Sequence, residues 1–254
     1  MSHSSQDTSS LQNHVRSALV VTALGGLALL ALASGTAALT GFDEFFVLGA
    51  VVIYVPAAVV IVARITPYHP HARFGSANLI TLGRLIITSL LAGLAAEITM
   101  AEARVSSLVA WCFLIVAVIS LILDGLDGPV ARREGLTSKF GSRFDMEVDA
   151  LQILVLSVVA FTLAKAGWWI LLSGLLRYLF VAASAFWPAL AGDLPPSWRR
   201  KIISGIQGGV LAALLAPIIT PPLSTVAAGV ALILLIYSFA IDIVWLERAR
   251  RSSQ

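Results

Sequence analysis

The 254-residue chain is 58% hydrophobic and only 12% charged, with a mean hydropathy of +0.92. Since about a quarter of the residues in an ordinary soluble domain are charged, this composition excludes that class. The net charge is only +3 and the basic residues are scattered through loops, so nucleic acid is not expected as a partner. The single cysteine, Cys112, excludes a disulfide framework and a thiolate metal site.

Apolar runs of about 20 residues, enough to cross a bilayer as helices, recur along the chain, which predicts an all-α polytopic membrane bundle. In chain order the predicted spans are 17–39, 45–64, 77–96, 105–124, 149–165, 168–190, 202–219 and 224–246. A polar tail (1–16) precedes them and a basic tail (247–254) follows them. We expect the first span to be retained, because its apolar run is longer than that of a cleaved signal peptide. Glu97, at the end of the third span, is expected to be a solvated loop charge.

The distribution of lysine and arginine predicts the orientation. With both termini in the cytoplasm, thirteen of the seventeen basic residues lie inside, and only Arg104 and Lys165 lie outside. Arg84 and Arg177 fall within spans, where a charge is costly and is usually paired or functional. We therefore expect a protein of a bacterial inner (cytoplasmic) membrane, with segment 124–150 on the cytoplasmic side.

Segment 124–150 concentrates carboxylates in a chain that is otherwise poor in charge. Asp124 and Asp127 are one turn apart, and Asp145 and Asp149, four residues apart, lie on one face of a helix. Four close carboxylates repel one another unless a cation intervenes, and an all-oxygen ligand set predicts Mg²⁺ or Mn²⁺. Two such ions would suit phosphoryl-type transfer. A solvated loop of mutually neutralising charges is the alternative, and intramembrane carboxylates at a helix break also occur in cation transporters.

The residues between the acids fit a phosphate site. Gly128 and Gly141 would let a phosphate or base approach the backbone, and Ala131 keeps the helix face open. Arg132 supplies a fixed positive charge. Pro129 predicts a kink or a restart of the helix near 125–129.

This pattern resembles the signature of the CDP-alcohol phosphatidyltransferase family at every defined position. In this chain it runs Asp124-x2-Asp127-Gly128-x2-Ala131-Arg132-x8-Gly141-x3-Asp145-x3-Asp149. The stretch "ANLITLGRL" (77–85) is similar to the Asn-x2-Thr-x2-Arg segment that opens the family's first core helix. The resemblance covers residues 70–246 and implies a six-helix core, to which two helices within 17–64 are added.

The resemblance implies a reaction in which a phosphatidyl group passes from CDP-diacylglycerol to a small polar alcohol, with release of CMP. It implies a pair of divalent ions held by Asp124, Asp127, Asp145 and Asp149, with Asp149 as general base and Asp145 also catalytic. The residues that it implies for the CDP moiety are Asp124, Asp127, Gly128, Ala131, Arg132 and Gly141. Family members often dimerise, and Gly205 and Gly209 form a GxxxG pair compatible with close helix packing.

Two further sets of polar residues are candidates for contacts with the substrates. Asn78, Thr81 and Arg84 are interpreted as support for the metal ligands or as a contact to the lipid phosphate, the alternative being a structural pair with a carboxylate. A second group, formed by Arg177, Arg199, Arg200 and Lys201, is interpreted as a pocket for a phosphorylated acceptor, although positive-inside anchoring accounts equally well for the last three.

The sequence offers several candidates for the acceptor alcohol. The basic group favours glycerol 3-phosphate or an inositol phosphate. Met146 after Asp145 and Ala150 after Asp149 depart from the pattern of phosphatidylglycerophosphate-forming members. Serine, choline, or a diacylglycerol acceptor used with a CDP-linked small alcohol therefore stay open.

Overall fold

The computed structural model describes residues 3–68, 74–192, 194–195 and 197–252, and every regular element in them is a helix. The all-α prediction is therefore confirmed for this part of the chain. Two short 3₁₀ helices occur, Trp168–Leu171 and Pro188–Ala191. The α-helices are α1 (His3–Thr40), α2 (Glu44–Tyr68), α3 (Ser76–Met100), α4 (Ser107–Glu134), α5 (Lys139–Thr162), α6 (Leu172–Phe186), α7 (Trp198–Ala213) and α8 (Leu223–Ser252).

Six helical segments in the described ranges are long and apolar enough to cross a membrane, against eight predicted spans. These segments are Arg16–Thr40, Glu44–Arg64, Ser76–Met100, Ser107–Glu134, Trp168–Phe186 and Leu223–Arg250. The remaining two predicted spans coincide with α5, whose first turns carry charged residues, and α7, which has 16 residues. The predicted sixth span also ends early. Trp187 leaves the helix in an extended conformation because Pro188 follows it.

Helix α4 runs without a break through Pro129, so the predicted restart of the helix near 125–129 is wrong. Pro129 lacks the N–H that would bond the carbonyl of Gly125, but Gly125 is exposed, so this carbonyl is not buried without a partner. The helix ends instead at Gly135, whose φ of 66° is left-handed. The Gly135 N–H bonds the carbonyls of Ala131 and Arg132, as in a usual glycine C-cap.

The chain divides into two compact units, Met1–Leu151 and Gln152–Gln254. In the first unit α2 packs closely on α3, since Gly49 and Gly93 have no side chain to separate the two backbones. Glu97, near the end of α3, is only 1% exposed and accepts a 2.8 Å hydrogen bond from the Asp43 N–H at the start of α2. The prediction that Glu97 is solvated is therefore wrong, because the turn between α1 and α2 covers it.

In the second unit a buried lysine donates hydrogen bonds to the segment that follows α7. Lys165 is 8% exposed, and its Nζ donates to the carbonyls of Ala216 at 2.9 Å and Ile219 at 2.7 Å. The Ser224 hydroxyl donates in turn to the Lys165 carbonyl at 2.6 Å. The ammonium thus bonds carbonyls of the turns between α7 and α8, which lie outside both helices.

Candidate active site

Four aspartates from two consecutive helices lie around one point of the first unit. Asp124 and Asp127 belong to the last turns of α4, and Asp145 and Asp149 to the first turns of α5. One carboxylate oxygen each from Asp124, Asp127 and Asp145 lies within 4.8 Å of the others. The structure therefore brings together the two acid pairs that the sequence places on separate helices.

Arg84 on α3 is the cation at the centre of these acids. Its side chain is 1% exposed. Nη1 lies 2.8 Å from an oxygen of Asp124, 2.7 Å from one of Asp145 and 3.5 Å from one of Asp127. Nη2 pairs with Asp149. The sequence left pairing with a carboxylate as an alternative for Arg84. In the structure Arg84 pairs with four carboxylates instead of one.

The electrostatics of the cluster favour a further cation. One guanidinium faces four carboxylates, which repel one another when all are ionised. Burial raises the pKa of Asp145, which precedes the predicted fifth span, to about 8; the negative charge of Asp149 and a hydrogen bond with Asp127 act in the same direction. Binding of a cation by these oxygens would favour the ionised carboxylate and oppose this rise.

The residues present fit a hard divalent ion. The three close carboxylates supply only oxygen ligands, as Mg²⁺ and Mn²⁺ prefer. Asp127 accepts a 2.6 Å hydrogen bond from the Gly128 N–H, and the Thr81 hydroxyl divides its single proton between Asp127 at 3.3 Å and the Ala77 carbonyl at 3.1 Å. Such bonds to a ligating carboxylate fix its direction and its basicity. Asp127 is buried while Asp124, Asp145 and Asp149 are part-exposed, so the cluster is accessible from one side.

The two glycines of the signature lie against polar side chains of the protein itself. At Gly128 an added Cβ would lie 3.3 Å from Nη1 of Arg132, so the guanidinium folds back over this glycine. At Gly141 an added Cβ would lie 2.9 Å from the amide oxygen of Asn78. Asn78 is 5% exposed and donates to the Phe74 carbonyl. The absence of a side chain at Gly141 therefore lets α5 approach the start of α3. The approach of a substrate at this glycine stays a prediction.

Comparison with known proteins agrees with this geometry. Residues 74–244 match the family described as CDP-alcohol phosphatidyltransferase. The chain belongs to this family. The matched region begins after α2 and includes all four aspartates and Arg84. Together with the six apolar helices, membership in a membrane-enzyme family identifies an integral membrane protein.

Two kinds of relative carry different names. A CDP-diacylglycerol–serine O-phosphatidyltransferase of Helicobacter pylori (strain ATCC 700392 / 26695) is 60% identical over 40 residues, 16% of each chain. A probable phosphatidylglycerophosphate synthase of Mycobacterium tuberculosis (strain ATCC 25618 / H37Rv) is 27% identical over 169 residues, 66% of this chain and 79% of the relative. The chain thus matches only 16% of the length of the Helicobacter relative. No solved structure matches the chain.

An acid that the sequence analysis did not single out pairs with the basic residues of α7. Asp242 on α8 is 6% exposed and accepts from Arg199 and, at 3.1 Å, from Arg200. Arg199 also donates to the carbonyl and hydroxyl oxygens of Ser238 at 2.7 and 2.6 Å. Lys201 lies over the Trp198 ring, with Nζ 5.7 Å from its centroid. The signal available in the sequence was an aspartate inside the last apolar run.

The remaining members of the predicted groups are placed as follows. Arg177 lies on α6, in the same unit as Arg199 and Arg200. Ala131 and Arg132 lie in the last turn of α4, and Arg132 is exposed there. The roles of these residues toward substrates stay predictions.

The contact at Gly141 gives a testable prediction. In Gly141→Ala the new methyl group would press on the Asn78 amide at 2.9 Å and the Ser138 hydroxyl at 3.3 Å. Moving these groups should lower stability by roughly 1–3 kcal/mol. Thermal unfolding of the purified protein in detergent measures this change.

The matched control is Gly125→Ala, where an added Cβ meets no atom of the described residues within 4 Å. Since Gly125 lies within a helix, the control should be neutral or slightly stabilising, and an equal loss in both variants would contradict the contact.

Proposed function

We propose that this protein is a membrane enzyme of phospholipid biosynthesis that transfers a phosphatidyl group from CDP-diacylglycerol to a small polar alcohol and releases CMP. The observation that carries the proposal is the meeting of Asp124, Asp127, Asp145 and Asp149 around Arg84, at the spacing that resembles the family signature. A solvated loop would not place a guanidinium that is 1% exposed against four carboxylates.

In the proposed reaction the alcohol oxygen attacks the phosphorus that carries the diacylglycerol, and the bond from this phosphorus to the CMP oxygen breaks. The alcohol proton passes to the carboxylate of Asp149, whose side chain is 35% exposed. Asp124, Asp127 and Asp145, with Asp149 beside the second ion, would hold two Mg²⁺ or Mn²⁺ ions. Such ions, when bound, neutralise charge on the diphosphate. Arg132 would add positive charge at the departing CMP.

For the acceptor we propose glycerol 3-phosphate or an inositol phosphate. The support is the concentration of Arg177, Arg199, Arg200 and Lys201 in one unit, together with the name of the Mycobacterium relative. Asp242 neutralises part of this charge, which weakens the support for a doubly charged acceptor. Serine is the second candidate, favoured by the name of the Helicobacter relative.

We further propose a bacterial cytoplasmic membrane, with both termini and the carboxylate cluster on the cytoplasmic side. The support is the thirteen-to-two distribution of basic residues across the predicted loops. We propose that α1 and α2 are additions to a six-helix core, since the family match begins at residue 74. A homodimer is supported by the exposed Gly205 and Gly209 on α7.

The experiment that tests the function uses the full chain, purified in detergent, with CDP-diacylglycerol and Mg²⁺. Glycerol 3-phosphate, an inositol phosphate and serine are offered singly, and CMP release and the lipid product are measured. We expect release with one alcohol and its loss in a chelator. Absence of release with every alcohol would contradict the proposal. Release of CMP from a CDP-linked small alcohol with diacylglycerol would support the alternative reaction of the same family.

A further inference from the structure

The guanidinium of Arg84 occupies the position between the carboxylates at which a metal ion would be expected. Nη1 lies 2.8 Å from Asp124 and 2.7 Å from Asp145, with Asp127 at 3.5 Å. These are the three residues whose oxygens lie within 4.8 Å of one another. Since Mg²⁺ binds oxygen at about 2.0–2.1 Å, an ion held by these three carboxylates would need the space that Nη1 fills.

We propose that Arg84 is an internal counter-cation that competes with the divalent ion for these carboxylates and withdraws from them when the ion binds. The inference rests on the metal site of the proposed function. Two helices at the membrane, here α4 and α5, cannot bring four ionised carboxylates together without a compensating charge. Arg84 supplies that charge in the protein itself, so the ligands are gathered before an ion arrives.

The attachment of Arg84 is compatible with such a movement. Its two terminal nitrogens make all of its contacts with the acids. Its Nε is buried and has no hydrogen-bond partner among the described residues. The hydrogen bonds and ion pairs of the guanidinium are therefore all with carboxylates that an ion would also bind, and no hydrogen bond from Nε holds it there. Most buried polar side-chain atoms do have a hydrogen-bond partner.

The test measures metal binding and does not depend on turnover. Mn²⁺ is titrated into the full chain in detergent, and free Mn²⁺ is followed by electron paramagnetic resonance. Arg84→Gln should bind Mn²⁺ more tightly than the wild type, on the order of ten-fold, because a competing positive charge is gone. In a chelator the same variant should unfold at a lower temperature than the wild type, and it should regain more stability with Mn²⁺.

Lys165→Met is the matched control. Lys165 is a second buried cation, but its Nζ contacts the carbonyls of Ala216 and Ile219 and lies in the other unit. Its loss should lower the unfolding temperature equally with and without Mn²⁺ and leave Mn²⁺ affinity unchanged. Unchanged or weaker Mn²⁺ binding by Arg84→Gln would overturn the proposal.

If Arg84→Gln does not fold, the wild-type structure with Mn²⁺ decides. Nη1 displaced from Asp124 and Asp145 supports the competition, and Nη1 retained there beside a bound ion overturns it. A protein that shows this competition but releases no CMP would contradict the proposed function and leave the role of Arg84 standing. Release of CMP without this competition would support the proposed function and overturn the proposed role of Arg84.

Discussion

Asp149→Asn is expected to lower CMP release by about three orders of magnitude. A general base contributes roughly 10²–10⁴-fold, and an asparagine amide cannot accept the alcohol proton near neutral pH. The fold should persist, because Asn has the shape of Asp and Arg84 keeps its contacts with Asp124 and Asp145. The measurement is CMP release in detergent at saturating CDP-diacylglycerol, with unfolding temperature recorded for the same samples.

Glu147→Gln is the control for this prediction. Glu147 lies on the same helix, two residues from each aspartate, and is exposed. Two residues turn an α-helix by about 200°, so Glu147 faces away from Asp145 and Asp149. We expect close to wild-type release from this variant. Release by Asp149→Asn within ten-fold of wild type, or an equal loss in Glu147→Gln, would remove Asp149 from the role of base.

The acid pairs could be placed from the sequence because their spacing is local. Asp145 and Asp149 are four residues apart, and α5 puts them on one face as expected. The partners of Arg84 could be given only as alternatives. Its contacts join α3 to α4 and α5, and the distances between these helices depend on packing that no local pattern contains. The depth of Arg84 in its apolar run indicated that its charge needs a partner. It did not indicate which residue that partner is.

Other features could not be predicted, for similar reasons. Glu97 looked solvated because it ends an apolar run, and its burial depends on the turn before α2, 54 residues away in the chain. Asp242 was not singled out, since its partner Arg199 is 43 residues distant. At Pro129 the local rule correctly gave the missing hydrogen bond but not the continuous helix; Gly125, whose carbonyl lacks that bond, is exposed.

Gly93→Ala is expected to lower stability more than Gly141→Ala. An added Cβ at Gly93 would lie closer than 3.0 Å to the carbonyl oxygen of Phe46 on α2 and 3.2 Å from its ring. A backbone oxygen cannot rotate away as a side chain does, so the two helices would have to separate. We expect a loss of about 3 kcal/mol, at the upper end of overpacking effects, and a fall in unfolding temperature of about 6–12 °C.

The control for this variant is Gly83→Ala on the same helix. An added Cβ at Gly83 meets nothing within 4 Å in the part of the chain that the structure describes. Alanine also favours a helix over glycine by about 1 kcal/mol, so this control should be unchanged or slightly more stable. A similar loss in both variants would show a general intolerance of α3 to added volume and would contradict a specific contact with Phe46.

The same pair of variants tests what α1 and α2 contribute to the site. Helix α2 contacts α3 through Gly49 and Gly93, and α1 joins α2 through a 2.7 Å hydrogen bond from the Tyr54 hydroxyl to the Thr22 carbonyl. Since α3 also carries Thr81, whose hydroxyl lies 3.3 Å from Asp127, displacement of α3 in Gly93→Ala should lower CMP release per folded molecule as well as stability. Lower stability with unchanged release would confine α1 and α2 to supporting the fold, whereas a joint loss would give these two helices a part in holding α3 against the carboxylates.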